Sequence, residues 1–248
     1  MKEIKYKIFV INLDRSTDRL VSISEELKNL NLEFERISAI DGKAVSEEFL
    51  NKYYSADLNK KNYYAPLTKA EIGCYISHLK ACEKIVSDNL DFGIILEDDL
   101  VLEPSFALVS EIISSIKEDW NYIKLATLFK KKKIVSRKSI YSATLNGKIY
   151  KFDFVKWNKV PVGAQAYAIT LEGAKEFLKK RSIFYRPIDV DLQFDWETKL
   201  NVCGLLPQFC KNKALKSDIG SRKLKYHYPF ARLIYKLKYL IKCKLYLI

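Results

Sequence analysis

Apolar and polar positions change their spacing from one segment to the next, and each change marks an element. Residues 6–13, Tyr-Lys-Ile-Phe-Val-Ile-Asn-Leu, hold enough consecutive apolar residues for a strand buried on both faces. Over residues 16–30 the period lengthens. Leu20, Ile23, Leu27 and Leu30 recur at helical spacing, and Ser16 or Thr17 can cap the helix. Glu33–Ile37 reads as a second short strand, closed by the turn pair Asp41-Gly42. Strand, helix and strand within about 40 residues open an α/β sheet.

Thr68–Asp88 is the clearest helix. Thr68 and Glu71 stand at capping-box spacing, and Ile72, Tyr75, Ile76, Leu79 and Val86 form its apolar face. Phe92–Leu96 is a short buried strand that runs directly into Glu97-Asp98-Asp99. Phe106–Ile116 is helical by period. Residues 130–133 are four lysines, followed by two β-patterned runs around Asn146-Gly147, a hairpin signal. Residues 162–170 read as an interior strand, Glu172–Lys180 as a helix, and 189–200 as another. With no repeat and no long linker, the expectation is one domain over residues 1–220 and a basic tail over 221–248.

Composition narrows the class. The 248 residues are 48% hydrophobic and 29% charged, with only 8 Gly and 6 Pro, which excludes global disorder and a collagenous chain. A chain of this length buries a sufficient core without disulfides or metal. No stretch approaches the roughly 20 apolar residues of a membrane span, and Met1-Lys2-Glu3 opens no secretory pattern. The cysteines are odd in number and contain no Cys-x-x-Cys, the usage of a reducing compartment, so a cytoplasmic protein is expected.

The net charge of +13 is unevenly spread. Eight Lys and Arg and no Asp or Glu fall within residues 221–248. There Phe230, Leu233, Ile234, Leu237, Leu240 and Ile241 form an i, i+3/i+4 stripe among Arg232, Lys236, Lys238, Lys242 and Lys244. That pattern fits an interfacial helix on an anionic membrane, here the inner face. The alternatives are a nucleic-acid stripe or a helix packed on the body with solvated lysines. Nucleic acid is not the expected partner.

Candidate chemistry centres on Glu97-Asp98-Asp99. Three carboxylates at the carboxyl end of a buried strand repel one another, and in open α/β sheets that edge is where ligands bind. A divalent cation, Mn²⁺ or Mg²⁺, relieves the repulsion. Extended alternation puts Glu97 and Asp99 on one side and Asp98 on the other. Asp99 is therefore expected to hold metal, with Glu97 and Asp98 divided between nucleotide contact and metal support. The alternative is an acidic strand end that faces water. Neither Gly-x-x-x-x-Gly-Lys nor Gly-x-Gly-x-x-Gly occurs, so a bound diphosphate would rely on metal and on Arg15 and Arg19. Cys74, His78 and Cys82 share a helix face, which reads as packing rather than a zinc site.

The motifs also resemble a known family. Ile11-Asn12-Leu13-Asp14-Arg15 with Asp18-Arg19 looks like the opening motif of family 25 glycosyltransferases, the lipooligosaccharide sugar transferases. Ala39-Ile40-Asp41-Gly42, Glu71-Ile72-Gly73-Cys74 with Ser77-His78, Ile95–Asp99 and Pro187-Ile188-Asp189 follow in order. Gly163–Tyr167 and Ser217-Asp218-Ile219 fit more weakly, and the lysine-rich 130–138 stretch departs from the pattern, as do Asp191 and Asp195. The resemblance implies a GT-A-type, Rossmann-like mixed sheet flanked by helices. It also implies a UDP-sugar substrate (galactose commonly), a divalent metal, and inversion at the anomeric carbon.

Carried onto this chain, the resemblance makes Asp189 the expected general base with Asp191 in reserve, although Asp189 at a helix start can equally be a cap. Asn12, Leu13, Arg15, Arg19, Asp41, Gly42, Ser77, His78, Gly163 and Ala164 become expected nucleotide-sugar contacts. Ser77-His78 is not a dyad, because adjacent helix residues face different ways. Asp218 or His227 would complete the metal shell. The expected function is hexosyl transfer to a saccharide acceptor on a lipid carrier. The rivals are a membrane- or nucleic-acid-binding protein with a structural acidic cluster, and a metal-dependent phosphodiesterase.

Overall fold

The computed structural model describes residues 3–127, 134–213 and 230–246. The four-lysine run, Asp218 and His227 lie outside the described residues. The chain begins β1 (Tyr6–Asn12), α1 (Thr17–Asn29), β2 (Glu35–Ser38), α2 (Glu47–Asn51), α3 (Ala56–Asn62) and α4 (Lys69–Ser87). It continues with β3 (Phe92–Glu97), β4 (Leu100–Leu102), a 3₁₀ turn (Pro104–Leu108), α5 (Val109–Ser115) and β5 (Tyr122–Lys124). Then come β6 (Ile134–Leu145), β7 (Lys148–Trp157), β8 (Ala166–Thr170), α6 (Leu171–Lys180), α7 (Ile188–Asp191) and α8 (Asp195–Thr198). Strands β9 (Val202–Leu206) and β10 (Cys210–Asn212) precede α9 (Ala231–Tyr246).

Eight strands form a mixed sheet in the order β2-β1-β3-β8-β5-β9-β7-β6, and β4 pairs with β10 separately. Strands β1, β2 and β3 are parallel, whereas β8 runs antiparallel to both β3 and β5. The apolar run of β1 is used on both faces. Ile8 and Val10 pack under α1 and α5, while Phe9 and Ile11 pack under α4 and α6. Neighbouring β3 repeats the pattern, with Ile94 and Leu96 on one side and Ile95 on the other. This is the helix-flanked α/β sandwich that the spacing predicts.

Several boundaries move for identifiable reasons. The helix expected over 106–116 starts as a 3₁₀ turn at Pro104 and becomes α-helical only from Val109. The helix expected over 189–200 is two single turns, α7 and α8, separated at Phe194, whose ring lies 3.6 Å from the Arg186 guanidinium carbon. The hairpin is as expected: Asn146 and Gly147 have φ of 49° and 76°, so both turn residues sit in the left-handed region that a two-residue β-hairpin demands. Extended geometry ends at Glu97, because Asp98 and Asp99 form a turn before β4. The side-to-side alternation expected for the acidic trio therefore does not apply.

Candidate active site

The chain leaves β1 toward β2 on one side and returns to β3 on the other, which makes the β1/β3 edge a topological switch point. A cleft of about 700 Å³, counting the space at its mouth, opens there. Leu13, Arg15 and Arg19 line it after β1, Ala39–Gly42 after β2, and Glu97–Asp99 after β3. Its floor is one face of α4, with Ala70, Cys74, Ser77 and His78.

Local sequence explains the aim of that floor. The Thr68–Glu71 capping box starts α4, with the Glu71 carboxylate accepting from Thr68 N–H at 2.8 Å and Thr68 Oγ1 accepting from Glu71 N–H at 3.2 Å. The loop after β2 presses directly on the helix. A Cβ on Gly73 would stand 2.4 Å from the Ile40 carbonyl oxygen and 2.7 Å from Gly42 N. Ser77 then pins the loop: its hydroxyl donates to Gly73 O at 2.7 Å and accepts from Ile40 N–H at 2.8 Å. Its hydroxyl is thus engaged inside the protein, so Ser77 shapes the wall rather than offering a free hydroxyl.

The three carboxylates are held differently. Asp98 is buried, accepts from Asn12 Nδ2 at 2.6 Å, and faces Arg19 Nη1 at 3.4 Å. Burial raises its pKa, and Asn12 and Arg19 oppose the rise. Glu97 lies 3.4 Å from His78 Nε2, and the buried His78 ring meets the Tyr167 hydroxyl through Nδ1 at 3.0 Å. Asp99 has a buried Oδ1 that no group in the described structure satisfies. Burial first, then the charges of Glu97 and Asp98, push its pKa up to about 6. A carboxylate both orphaned and repelled by two others is what a hard divalent cation would relieve, so the residues present fit such an ion.

Asn12 departs from the expected nucleotide contact. Its amide donates to Ser16 O at 2.9 Å and to Asp98, and its oxygen accepts from Arg36 Nε at 3.1 Å. With both amide hydrogens spent and the side chain buried outside the cleft lining, Asn12 orients Asp98. Arg15 ion-pairs with Asp41, and both line the cleft. Gly163 and Ala164 do not line it. They lie before β8 on the same rim, where Gln165 O accepts from Glu97 N–H at 2.8 Å. Cys82 is buried in the core, so the Cys74, His78 and Cys82 trio does not converge; Glu97 instead joins Cys74 and His78, with ligand atoms within 4.8 Å. Burial, Glu97, Asp189, Glu71 and Asp99 all hold the Cys74 thiol protonated.

Asp189 and Asp191 part company on α7. Asp191 is buried, accepts from Tyr75 Oη at 2.6 Å and from Arg186 Nε at 2.8 Å, and is held by Arg181 at 2.5 Å. Despite the burial, Arg186 and Arg181 keep its pKa below the usual carboxylate range. The carboxylate expected as reserve base thus has both oxygens engaged inside the protein, where it anchors the two arginines. Asp189 is half-buried and is not the helix cap, a position taken by Pro187. Burial raises its pKa, opposed in part by the Val190 N–H and then by the charge of Lys124.

Lys124 is a residue that the sequence reading missed. It is buried in β5 and donates to Gly163 O, and burial lowers its pKa to about 7 while Asp189 raises it. A single lysine in a three-residue strand carries no local signal. Arg36 is equally silent, since its partner Asn12 lies 24 residues away, whereas Arg181 and Arg186 stand only ten and five residues before Asp191 and carry no periodic signal that they close on it.

A family model described as glycosyltransferase family 25 (LPS biosynthesis protein) matches residues 5–192. A glycosyltransferase 25 family member of Anopheles gambiae is 29% identical over 187 residues, covering 71% of this chain and 29% of that protein. Procollagen galactosyltransferase 2 of Mus musculus is 27% identical over 179 residues, covering 69% of this chain and 27% of its own length. The chain therefore spans less than a third of the length of these relatives. Among solved structures, the inositol-1-phosphate CTP transferase from T. maritima is similar at a TM-score of 0.43 and 14% identity over 95% of each chain, too slight a likeness to bear on function. The matched region runs from the start of β1 to the residue after α7 and takes in every wall of the cleft, and on that match the chain belongs to glycosyltransferase family 25.

Proposed function

We propose that the protein is an inverting, divalent-metal-dependent hexosyltransferase that moves galactose from a UDP-sugar to a saccharide acceptor of the lipooligosaccharide type. The observation that carries the reading is the cleft itself: an Asp99 whose Oδ1 has no partner, beside two further carboxylates, with Arg15 from the loop after β1 and Arg19 from the first turn of α1 lining the same space. Galactose is supported by the relatives named procollagen galactosyltransferase, and a lipopolysaccharide-type acceptor by the description of the family model.

In this reading Asp99 holds the cation, with Glu97 and Asp98 beside it. The ion, Mn²⁺ or Mg²⁺, supplies Lewis-acid charge for the departing UDP diphosphate. Arg15 and Arg19 add fixed positive charge on the same side, and Arg15 must exchange Asp41 for phosphate oxygen to do so. Asn12 keeps Asp98 aimed, and Ser77 with Gly42 and Gly73 keeps the loop after β2 against α4. Asp189 takes the proton from the acceptor hydroxyl, a role typically contributing about 10²–10⁴-fold. A pKa raised by burial makes Asp189 a better proton acceptor near neutrality, and the Val190 N–H and then Lys124 limit the rise.

The test is product analysis with UDP-galactose, Mn²⁺ and a saccharide acceptor, alongside UDP-glucose and the N-acetyl forms. UDP release coupled to a new glycoside, abolished by chelation, supports the proposal. Release of UMP and sugar phosphate would transfer the carboxylates to phosphodiester chemistry, and no turnover with any UDP-sugar would overturn the reading.

A further inference from the structure

Helix α9 has two faces with different chemistry. Ala231, Tyr235 and Tyr239, at i, i+4 and i+8, are its inward residues. Tyr235 packs on Tyr63 edge-on at 5.2 Å, and Tyr239 on Phe194 at 5.0 Å and Trp196 at 5.6 Å. Among residues 230–242, every large aliphatic or aromatic residue on the other side is bare: Leu233 is 55% exposed, Ile234 48%, Leu237 53%, Leu240 49% and Ile241 59%, with Phe230, just before the helix, at 78%. Burial against the body therefore does not account for the hydrophobic content of this helix.

Angular position makes the arrangement specific. At about 100° per residue, the five bare residues within the helix, Leu233, Ile234, Leu237, Leu240 and Ile241, occupy an arc of roughly 120°, centred about 180° from the midpoint of Tyr235 and Tyr239. Lys236 and Arg232 border that arc on one side, and Lys238 and Lys242 on the other; all four are exposed. No Asp or Glu occurs from residue 221 to the end of the chain. The body thus lies behind the helix, an apolar strip in front, and a row of cations along each edge.

We propose that α9 seats the protein on an anionic lipid surface, with its outer strip among the acyl chains and its lysine rows at the headgroups. An interfacial helix needs these parts in this order. A second copy of the chain is a poorer occupant, because lysine rows would meet lysine rows with no acidic residue in the segment to pair them. Spanning is not at issue, since no helix among the described residues is long and apolar enough to cross a membrane. The inference stands independently of sugar transfer.

The test uses the full chain and sedimentation with vesicles of phosphatidylglycerol and phosphatidylcholine, or phosphatidylcholine alone. Wild-type protein should partition to the anionic vesicles and release as salt rises. The triple variant Leu233→Ser, Leu237→Ser, Ile241→Ser keeps every charge yet should lose at least about tenfold in partitioning. The pair Lys236→Gln, Lys238→Gln should lose on the order of tenfold and flatten the salt dependence. Because all five positions are exposed, circular dichroism and thermal midpoints should be unchanged. Wild-type partitioning by the triple variant would mean general charge attraction and overturn the proposal. So would equal binding to neutral vesicles, or light scattering that finds a wild-type dimer and a monomeric triple variant.

Discussion

The Asp99→Asn variant exchanges a carboxylate whose pKa is lifted from 3.8 to about 6 for an uncharged side chain of the same shape. Each pH unit is worth about 1.4 kcal/mol, so ionised Asp99 holds up to about 3 kcal/mol against the metal-free fold. The folded-state pKa lies above the unfolded one. The penalty is therefore absent below about pH 4, grows between 3.8 and about 6, and is fully present above that range. Urea unfolding in EDTA should find the variant more stable than wild type by up to about 3 kcal/mol near pH 7.5, and equal to it near pH 4. Added Mn²⁺ should raise the wild-type midpoint and leave that of the variant in place. A variant less stable at neutral pH, or one whose difference from wild type does not change with pH, would refute the reasoning. The acidic trio would then be satisfied within the protein and would have no call for a cation.

Four further outcomes are expected. Asp189→Asn should keep UDP binding in calorimetry while transfer falls about 10²–10⁴-fold; normal transfer would move the base elsewhere. Lys124→Met removes the cation that lowers the pKa of Asp189, so the acidic limb of the pH–rate profile should move to higher pH, and an unmoved limb would dissociate the pair. Asp191→Asn leaves Arg181 and Arg186 with Glu197 as their remaining anion and should destabilise by about 3 kcal/mol in urea; wild-type stability with lost transfer would restore its candidacy as base. Gly73→Ala drives a methyl group into the Ile40 carbonyl and should lower both the thermal midpoint and UDP affinity, whereas native affinity would free the loop after β2 from its assigned part.

What could be read in advance followed from local periodicity. The apolar runs of β1 and β3, the Thr68 cap and the Asn146-Gly147 turn each act through neighbours a few residues away, and their elements form as expected. The cleft-lining positions Leu13, Arg15, Arg19, Asp41, Gly42 and Glu97–Asp99 were accessible because they follow strand ends, which topology gathers to one rim. Partnership was not accessible. Nothing near Asn12 announces that both its amide hydrogens are spent on Ser16 and Asp98, and although Arg181 and Arg186 stand close before Asp191, nothing in that spacing announces that they close on it or that Tyr75, 116 residues away, joins them. Asp189 and Asp191 look interchangeable in the sequence. One turn of helix rotates them apart, and the ion pairs then decide which remains available.

The inward tyrosines of α9 also determine how the chain can be shortened. Tyr63, Phe194 and Trp196 share their stacking with Tyr235 and Tyr239, and Phe194 is the ring on which the Arg186 guanidinium rests. Trimming the chain back past Tyr235 would bare that aromatic layer and admit water beside the buried Arg186, the partner of Asp191. A truncated protein that aggregated or went silent would be reporting a missing roof, whatever surface its outer side was built to meet.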